Sequence, residues 1–150
     1  MSENNFYCIQ IEFATPEFDN ALRLRYDVLR KPLNLDFDPD DIAQEYDSLH
    51  LACYDNRTQE LVGVLILKPL HEATIKMRQV AVASHLQGKG IGKFMVAASE
   101  ILAKDLQYQR IELHARNNAV PFYEKLHYSV SGDVFKEVGL DHYFMSKDLD

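Results

Sequence analysis

Val80–Lys93, VAVASHLQGKGIGK, is the stretch that decides the fold of this 150-residue chain. A β-rich run, Val80-Ala81-Val82, leads into the turn Gln87-Gly88-Lys89-Gly90-Ile91-Gly92, and a strongly helical segment follows. Glycines allow positive φ and leave backbone N–H groups uncovered. The first turn of a helix adds unpaired N–H donors and the positive end of the helix dipole. Together they offer a cradle for phosphate, with Lys89 and Lys93 adding charge at its rim; the alternative is a glycine-rich connector with no ligand. Two common phosphate loops do not fit. In the P-loop pattern G-x-x-x-x-G-K-[ST], Gln87 would stand at the first glycine and Phe94 at the closing hydroxyl. The dinucleotide pattern G-x-G-x-x-G fails because Gly88, Gly90 and Gly92 alternate.

Outward from this turn the pattern is regular. Phe6 to Phe13 reads as a strand. Thr15-Pro16 reads as an N-cap and first helical turn, and the helix is expected to run to Arg30 on Phe18, Leu22, Tyr26 and Leu29 before Pro32 stops it. Leu33 to Ser48 reads as loop with one helical turn. Leu49–Tyr54 and Leu61–Lys68 form a hairpin about Asp55-Asn56-Arg57-Thr58. A strand over Ala73–Ala83 precedes the glycine turn. The helix Gly90–Leu106 then has Ile91, Phe94, Met95, Ala98, Ile101 and Leu102 on one face. A strand over Arg110–Ala115, a short helix over Ala119–Leu126, and strands over Tyr128–Phe135 and His142–Lys147 complete the chain. The order β α β β β α β α β β predicts one α/β domain over residues 1–150: a mixed β-sheet with flanking helices and at least one parallel pair across the crossover.

Charge and composition exclude several functions. The net charge of −7 opposes phosphate neutralisation on nucleic acid. No apolar run reaches the length of a membrane span. The opening MSENNFYCIQ lacks the basic and apolar segments of a secretory signal. Cys8 and Cys53 sit in strand-like runs without metal-ligand spacing and read as free thiols, so a cytoplasmic protein without a metal is expected. Between Leu33 and Glu60, eight acidic residues face Arg57 alone, so this segment carries the whole net charge.

The turn Gln87-x-x-Gly90-x-Gly92, set straight after a strand, resembles the acetyl-CoA signature of the GNAT N-acetyltransferase superfamily, and the element order matches over most of the chain. The resemblance implies a GNAT-like acyl-CoA N-acyltransferase fold with a V-shaped opening between the strand at Val80 and the strand at Ile111. The pantetheine arm would bond to backbone near Val80 and Val82. The pyrophosphate would sit on amides from Gly88 through Ile91 to Gly92, with Gln87, Lys89 and Lys93 around it. Ala119-Val120-Pro121-Phe122-Tyr123-Glu124-Lys125-Leu126-His127-Tyr128 resembles the superfamily helix ending in Tyr-Glu-Lys-Leu-Gly-Phe. That places Phe122 and Tyr123 at the cofactor, with the Tyr123 phenol protonating the departing thiolate and the Val80 N–H donating to the oxyanion. Packing on the sheet is the structural alternative for Tyr123. The chain departs from the pattern at His127, where glycine is usual, and at Arg116, where asparagine is common; Asn118 is the expected substitute. The run Gly132 to Met145 resembles the ElaA-like branch.

The implied reaction is acetyl transfer from the co-substrate acetyl-CoA to a primary amine, by direct attack, on a small molecule or a peptide. His50, His114, His142 and Glu72 are candidates to accept the amine's proton. Arg25, Arg30 and His114 are the expected acceptor-side residues. The acidic stretch Asp36–Asp47 favours an uncharged or cationic amine, whereas Arg23, Arg25 and Arg30 could clamp an anion. Self-association into a homodimer is left open. The rival reading from another class is a non-catalytic acyl-CoA-binding sensor on the same fold.

Overall fold

A computed structural model of the chain describes residues 5–150; the first four residues of the opening read for a signal lie outside them. Seven strands form one sheet in the order β1-β2-β3-β4-β5-β7-β6. They are β1 Phe6–Ile11, β2 Leu49–Asp55, β3 Leu61–Pro69, β4 Thr74–Val82, β5 Arg110–Arg116, β6 Ser129–Glu137 and β7 Leu140–Asp148. All neighbours pair antiparallel except β4 and β5, which are parallel. The parallel pair is joined by helix α3, Ile91–Asp105, as a crossover requires.

The other helices are α1 Pro16–Arg25, α2 Pro39–Ala43 and α4 Val120–Lys125. Thr15 caps α1 by accepting the Phe18 N–H at 3.3 Å, with Pro16 in the first turn. The helix does not keep its α form to Arg30: Tyr26–Arg30 is a wider π turn, and Lys31–Leu33 a tighter turn carrying Pro32. β1 ends at Ile11, and Phe13 turns instead onto Phe18, their ring centroids 4.7 Å apart. Along α3, Ile91, Met95 and Val96 are buried, but Ile101 is 63% exposed and lies off the predicted face. Among the described residues, no helix is long and apolar enough to cross a membrane.

Apolar side chains fill both sides of the sheet. One cluster gathers Ile75, Met77, Ile111, Leu113 and Ala115 beneath α3 and α4, with Ile91, Met95 and Tyr123. A smaller one under α1 holds Ala21, Ala52, Val64 and Ala81. Strand alternation sends the intervening residues Lys76, Arg78, Glu112, His114 and Arg116 to the α1 side.

A bulge interrupts β4. Val64 pairs with Ala81 and Ile66 with Arg78, so three steps on β4 face two on β3. The extra residue is accommodated at Gln79, whose φ is +56°. The insertion shifts the side-chain parity. Ile75 and Met77 before it, and Val80 and Val82 after it, all join the cluster under α3, while Ala81 joins the other. On the opposite edge, pairing of β4 with β5 stops at Met77–Leu113. Neither register includes Gln79 or Val80. The sheet therefore opens between β4 and β5, the strands of Val80 and Ile111, with the opening beside His114–Arg116 while Ile111 is still paired with Ile75.

Candidate active site

The opening is a cavity of about 370 Å³ that passes through the sheet. Lys76–Val80 form one wall and Leu113–Arg116 the other. Leu29, Arg30 and Asp41 border it on the α1 side, Ala119 and Tyr123 on the α4 side, and Glu137, Val138 and His142 at the end nearest β6 and β7.

Tyr123 is placed by the end of α4. The Tyr128 N–H donates to the Tyr123 carbonyl and the His127 N–H to the Glu124 carbonyl, both at 3.0 Å. These bonds are a Schellman closure, which needs a left-handed residue after the cap. His127 is that residue, with φ +73°, which explains why glycine is the usual occupant. The closure brings the Tyr128 ring to 5.7 Å from that of Tyr123, and Phe122 packs edge-on at 5.0 Å from the other side. Tyr123 is only 7% exposed, and its hydroxyl makes no hydrogen bond to any described residue. Burial pushes its pKa up to about 12. The group is thus held protonated, able to donate a proton but not to remove one.

On the cavity's far wall, the Glu137 carboxylate faces His114 Nδ1 at 3.4 Å and His142 Nε2 at 3.7 Å. The His142 Nδ1–H donates to the Leu140 carbonyl at 3.0 Å, which fixes the ring. Of the four proton-acceptor candidates, only His114 and His142 line the cavity. His50 lies elsewhere, its Nε2 2.9 Å from the Glu45 carbonyl and its ring packed edge-on against Phe18. Glu72 is exposed in the loop before β4.

The glycine turn lies outside the cavity, on the α3 side. Gly88 and Gly90 have φ of +84° and +83°, and a Cβ at either would meet nothing within 4 Å, so their backbone faces open space. Gly90 is the N-cap of α3, with no side-chain cap and no acidic residue in the first turn. Gln87 Nε2 donates to the Val82 carbonyl at 3.3 Å and ties the turn to the end of β4. Ile91 is buried, so only its backbone amide faces the turn; Lys89 and Lys93 are exposed. A Cβ on Gly92 would lie 3.3 Å from the Phe122 ring and 3.9 Å from Val82, which places both side chains beside the helix start. Asn118 is exposed on the turn that opens α4.

The predicted site residues therefore fall into two adjoining groups. Val80, Tyr123, Arg30 and His114 meet in the cavity, and Val82, Phe122 and Gln87–Lys93 gather at the start of α3. Arg25 joins neither as a free group. It is 2% exposed and forms a two-pronged ion pair with Glu45, both bonds 2.7 Å. Its role is to fasten Gln44–Asp47 to α1. Sequence reasoning missed Lys76, Arg78 and Gln79. Alternating charges at Lys76 and Arg78 were a signal for one face of β4, but no spacing announces a bulge.

The chain matches the family model for the acetyltransferase (GNAT) domain over residues 36–149. Among solved structures, one from Lactobacillus plantarum superposes with a TM-score of 0.84 at 22% identity, covering 97% of this chain and 99% of that one. Escherichia coli ElaA gives 0.78 at 20% identity, covering 95% and 99%. A GNAT family acetyltransferase from Elizabethkingia anophelis, solved with acetyl-CoA bound, gives 0.74 at 19% identity, covering 98% and 100%. With the opened sheet, the glycine turn at α3 and a family match over most of its length, the chain belongs to the GNAT acetyltransferase family.

Proposed function

We propose that the chain acts as one catalytic domain, an N-acetyltransferase that moves the acetyl group of acetyl-CoA to the primary amine of a small molecule. The observation that carries this reading is the Tyr123 phenol, buried and unbonded under the break in the sheet where Val80 leaves both strand registers. Acetyl-CoA approaches from the α3 and α4 side. Its pyrophosphate rests on the amides of Gly88 to Gly92, between Lys89 and Lys93. The pantetheine follows Val80 and Val82, past Phe122 and Asn118. Acetyl-CoA in a structural neighbour with this fold supports the choice of co-substrate.

The neutral amine attacks the thioester carbonyl from the α1 side. A C–N bond forms, the carbonyl oxygen takes negative charge, and the Val80 N–H donates to it. The C–S bond then breaks, and Tyr123 gives its proton to the thiolate. His114, backed by Glu137, takes the proton that the attacking nitrogen loses, and solvent returns a proton to Tyr123. The products are the N-acetyl amine and free CoA. The proposed compartment is the cytoplasm, where the free thiols Cys8 and Cys53 stay reduced. The test is a thiol-release screen with acetyl-CoA against amines of differing charge. Release that depends on an amine supports transfer, whereas tight acetyl-CoA binding with no acceptor would favour a sensor.

A further inference from the structure

The α1 side of the cavity is cationic. Arg30, Lys76, Arg78 and Arg116 all line it, and all are half-buried. Among the described residues none of the four forms an ion pair. Arg30 is held by little: its Nη2 donates to Gln79 Oε1 at 3.4 Å, and its guanidinium lies 5.5 Å from the Phe37 ring centroid. Arg116 Nη2 reaches only the Leu29 carbonyl, at 3.5 Å. The Arg78 side chain makes no hydrogen bond to a described residue.

The opposing charges are elsewhere or engaged. Glu137 faces His114 and His142. Glu45 is used by Arg25, and Glu112, opposite Lys76 in the β4–β5 register, does not line the cavity. Asp36 and Asp38 are exposed and border a neighbouring recess of about 190 Å³ that Arg30 and Arg78 also line, but they do not line the cavity. That leaves Asp41, exposed at the shared edge of the two. Asp36, Asp38 and Asp41 are thus exposed to solvent, whereas the four cations of the cavity wall are half-buried. Like charges gathered half-buried on one wall cost free energy that a bound anion would recover. Consistent with this, burial and the neighbouring Arg25, Arg116 and Arg78 hold the Arg30 pKa below its ordinary value, and burial with Arg78 lowers that of Lys76.

We propose that the acceptor amine carries an oxyanion, a carboxylate or phosphate, which Arg30 and Arg78 bind on the α1 side of the sheet while the amine points through the opening at Val80. This rests on the acetyl-transfer reading above and reverses the cationic preference expected from the acidic segment. The cofactor's own phosphates do not account for the cluster. The glycine turn is on the α3 side and outside the cavity, whereas alternation turns Lys76 and Arg78 to the α1 side. Guanidinium forks match carboxylate and phosphate geometry. The same positive field disfavours an ammonium ion, so a bound amine is more readily neutral and nucleophilic.

The test compares kcat/KM with acetyl-CoA for 4-aminobutyrate, O-phosphoethanolamine, 4-aminobutanol and putrescine, in the wild type and in Arg30→Gln and Arg78→Gln. The expected result is preference for one of the two anionic amines, which also tells carboxylate from phosphate. Either substitution should reduce the anionic-over-neutral ratio by roughly 10- to 100-fold, the scale of a lost charge-assisted hydrogen bond. Arg30→Lys should lose part of the preference, and calorimetric acetyl-CoA binding shows that each variant is folded. A second measurement serves an acceptor larger than these probes. Inorganic phosphate and acetate added to CoA-saturated protein, whose glycine turn is occupied, should raise the melting temperature in the wild type and not in Arg30→Gln/Arg78→Gln. Preference for putrescine or 4-aminobutanol overturns the proposal, as does failure of both anions to stabilise the saturated protein. Absence of acetyl-CoA binding overturns it together with the transferase reading, whereas preferential acetylation of a cationic amine overturns it alone.

Discussion

At the scale of the residue, the account rests on Tyr123. Its position was legible through the resemblance of Tyr123-Glu124-Lys125-Leu126 to the superfamily helix, whereas spacing alone pointed to packing on the sheet. Its environment was not, because burial depends on Phe122, Tyr128 and the opened sheet together. Tyr123→Phe keeps the ring and its packing but removes the proton. We expect kcat to fall roughly 10- to 100-fold, within the range of general-acid effects, with acetyl-CoA affinity little changed; turnover at the wild-type rate would make Tyr123 a packing residue. The pH dependence has a definite sign. A phenol whose pKa is raised to about 12 stays protonated through the pH range where an ordinary tyrosine loses its proton. The kcat profile should therefore show no alkaline fall centred near the ordinary value of about 10, and stopped-time assays up to the limit of fold stability would reveal one. Arg25 gives the opposite lesson. The sequence marked it as an acceptor clamp, but its partner Glu45 lies 20 positions away, and nothing in local spacing announces that pair.

At the scale of the element, two helix termini define the site. The glycines between a strand and a helical run marked the start of α3, and the resemblance of Gln87-x-x-Gly90-x-Gly92 to the acetyl-CoA signature marked it as a binding turn. Gly90→Asp should leave a folded protein, since a Cβ there meets open space, although positive φ costs an L-residue roughly 1–2 kcal/mol. The added carboxylate would stand where the proposal puts the phosphate, so acetyl-CoA affinity should drop by about 100-fold or more, two charge-assisted contacts' worth; calorimetry giving wild-type affinity would remove the turn from the binding site. The end of α4 is a departure with a physical reading, since His127 occupies a left-handed position. His127→Gly should raise stability by about 0.5–1 kcal/mol, strain relief offset in part by unfolded-chain entropy, and chemical denaturation would measure it. The attachment of Gln44–Asp47 to α1 is the third case. Arg25→Met leaves Glu45 buried without its partner and should cost about 3–5 kcal/mol. Adding Glu45→Met to that variant should recover much of the loss, and an unchanged denaturation midpoint in the single variant would show the pair to be dispensable.

At the scale of the whole molecule, the order of elements and the parallel β4–β5 pair followed from hydrophobic periodicity and the crossover rule. The break in the sheet did not, because a bulge at Gln79 is one residue's change of φ and leaves no periodic trace. That single insertion gives the sheet a passage with unlike faces, the glycine turn on one side and four cations on the other. What the acidity of residues 33–60 does at the site was not legible for the same reason. Charge along the chain does not say which carboxylates face a cavity, and Asp41 is the one carboxylate of that segment among the residues lining it. The central claim is that this passage joins acetyl-CoA to an amine. It is tested most directly by following free thiol and N-acetylated amine in one reaction, the second by mass spectrometry. The account predicts equimolar appearance of both and their common loss in Tyr123→Phe. Acetyl-CoA binding without any acetylated amine, or thiol release at the same rate with and without an acceptor, would contradict it.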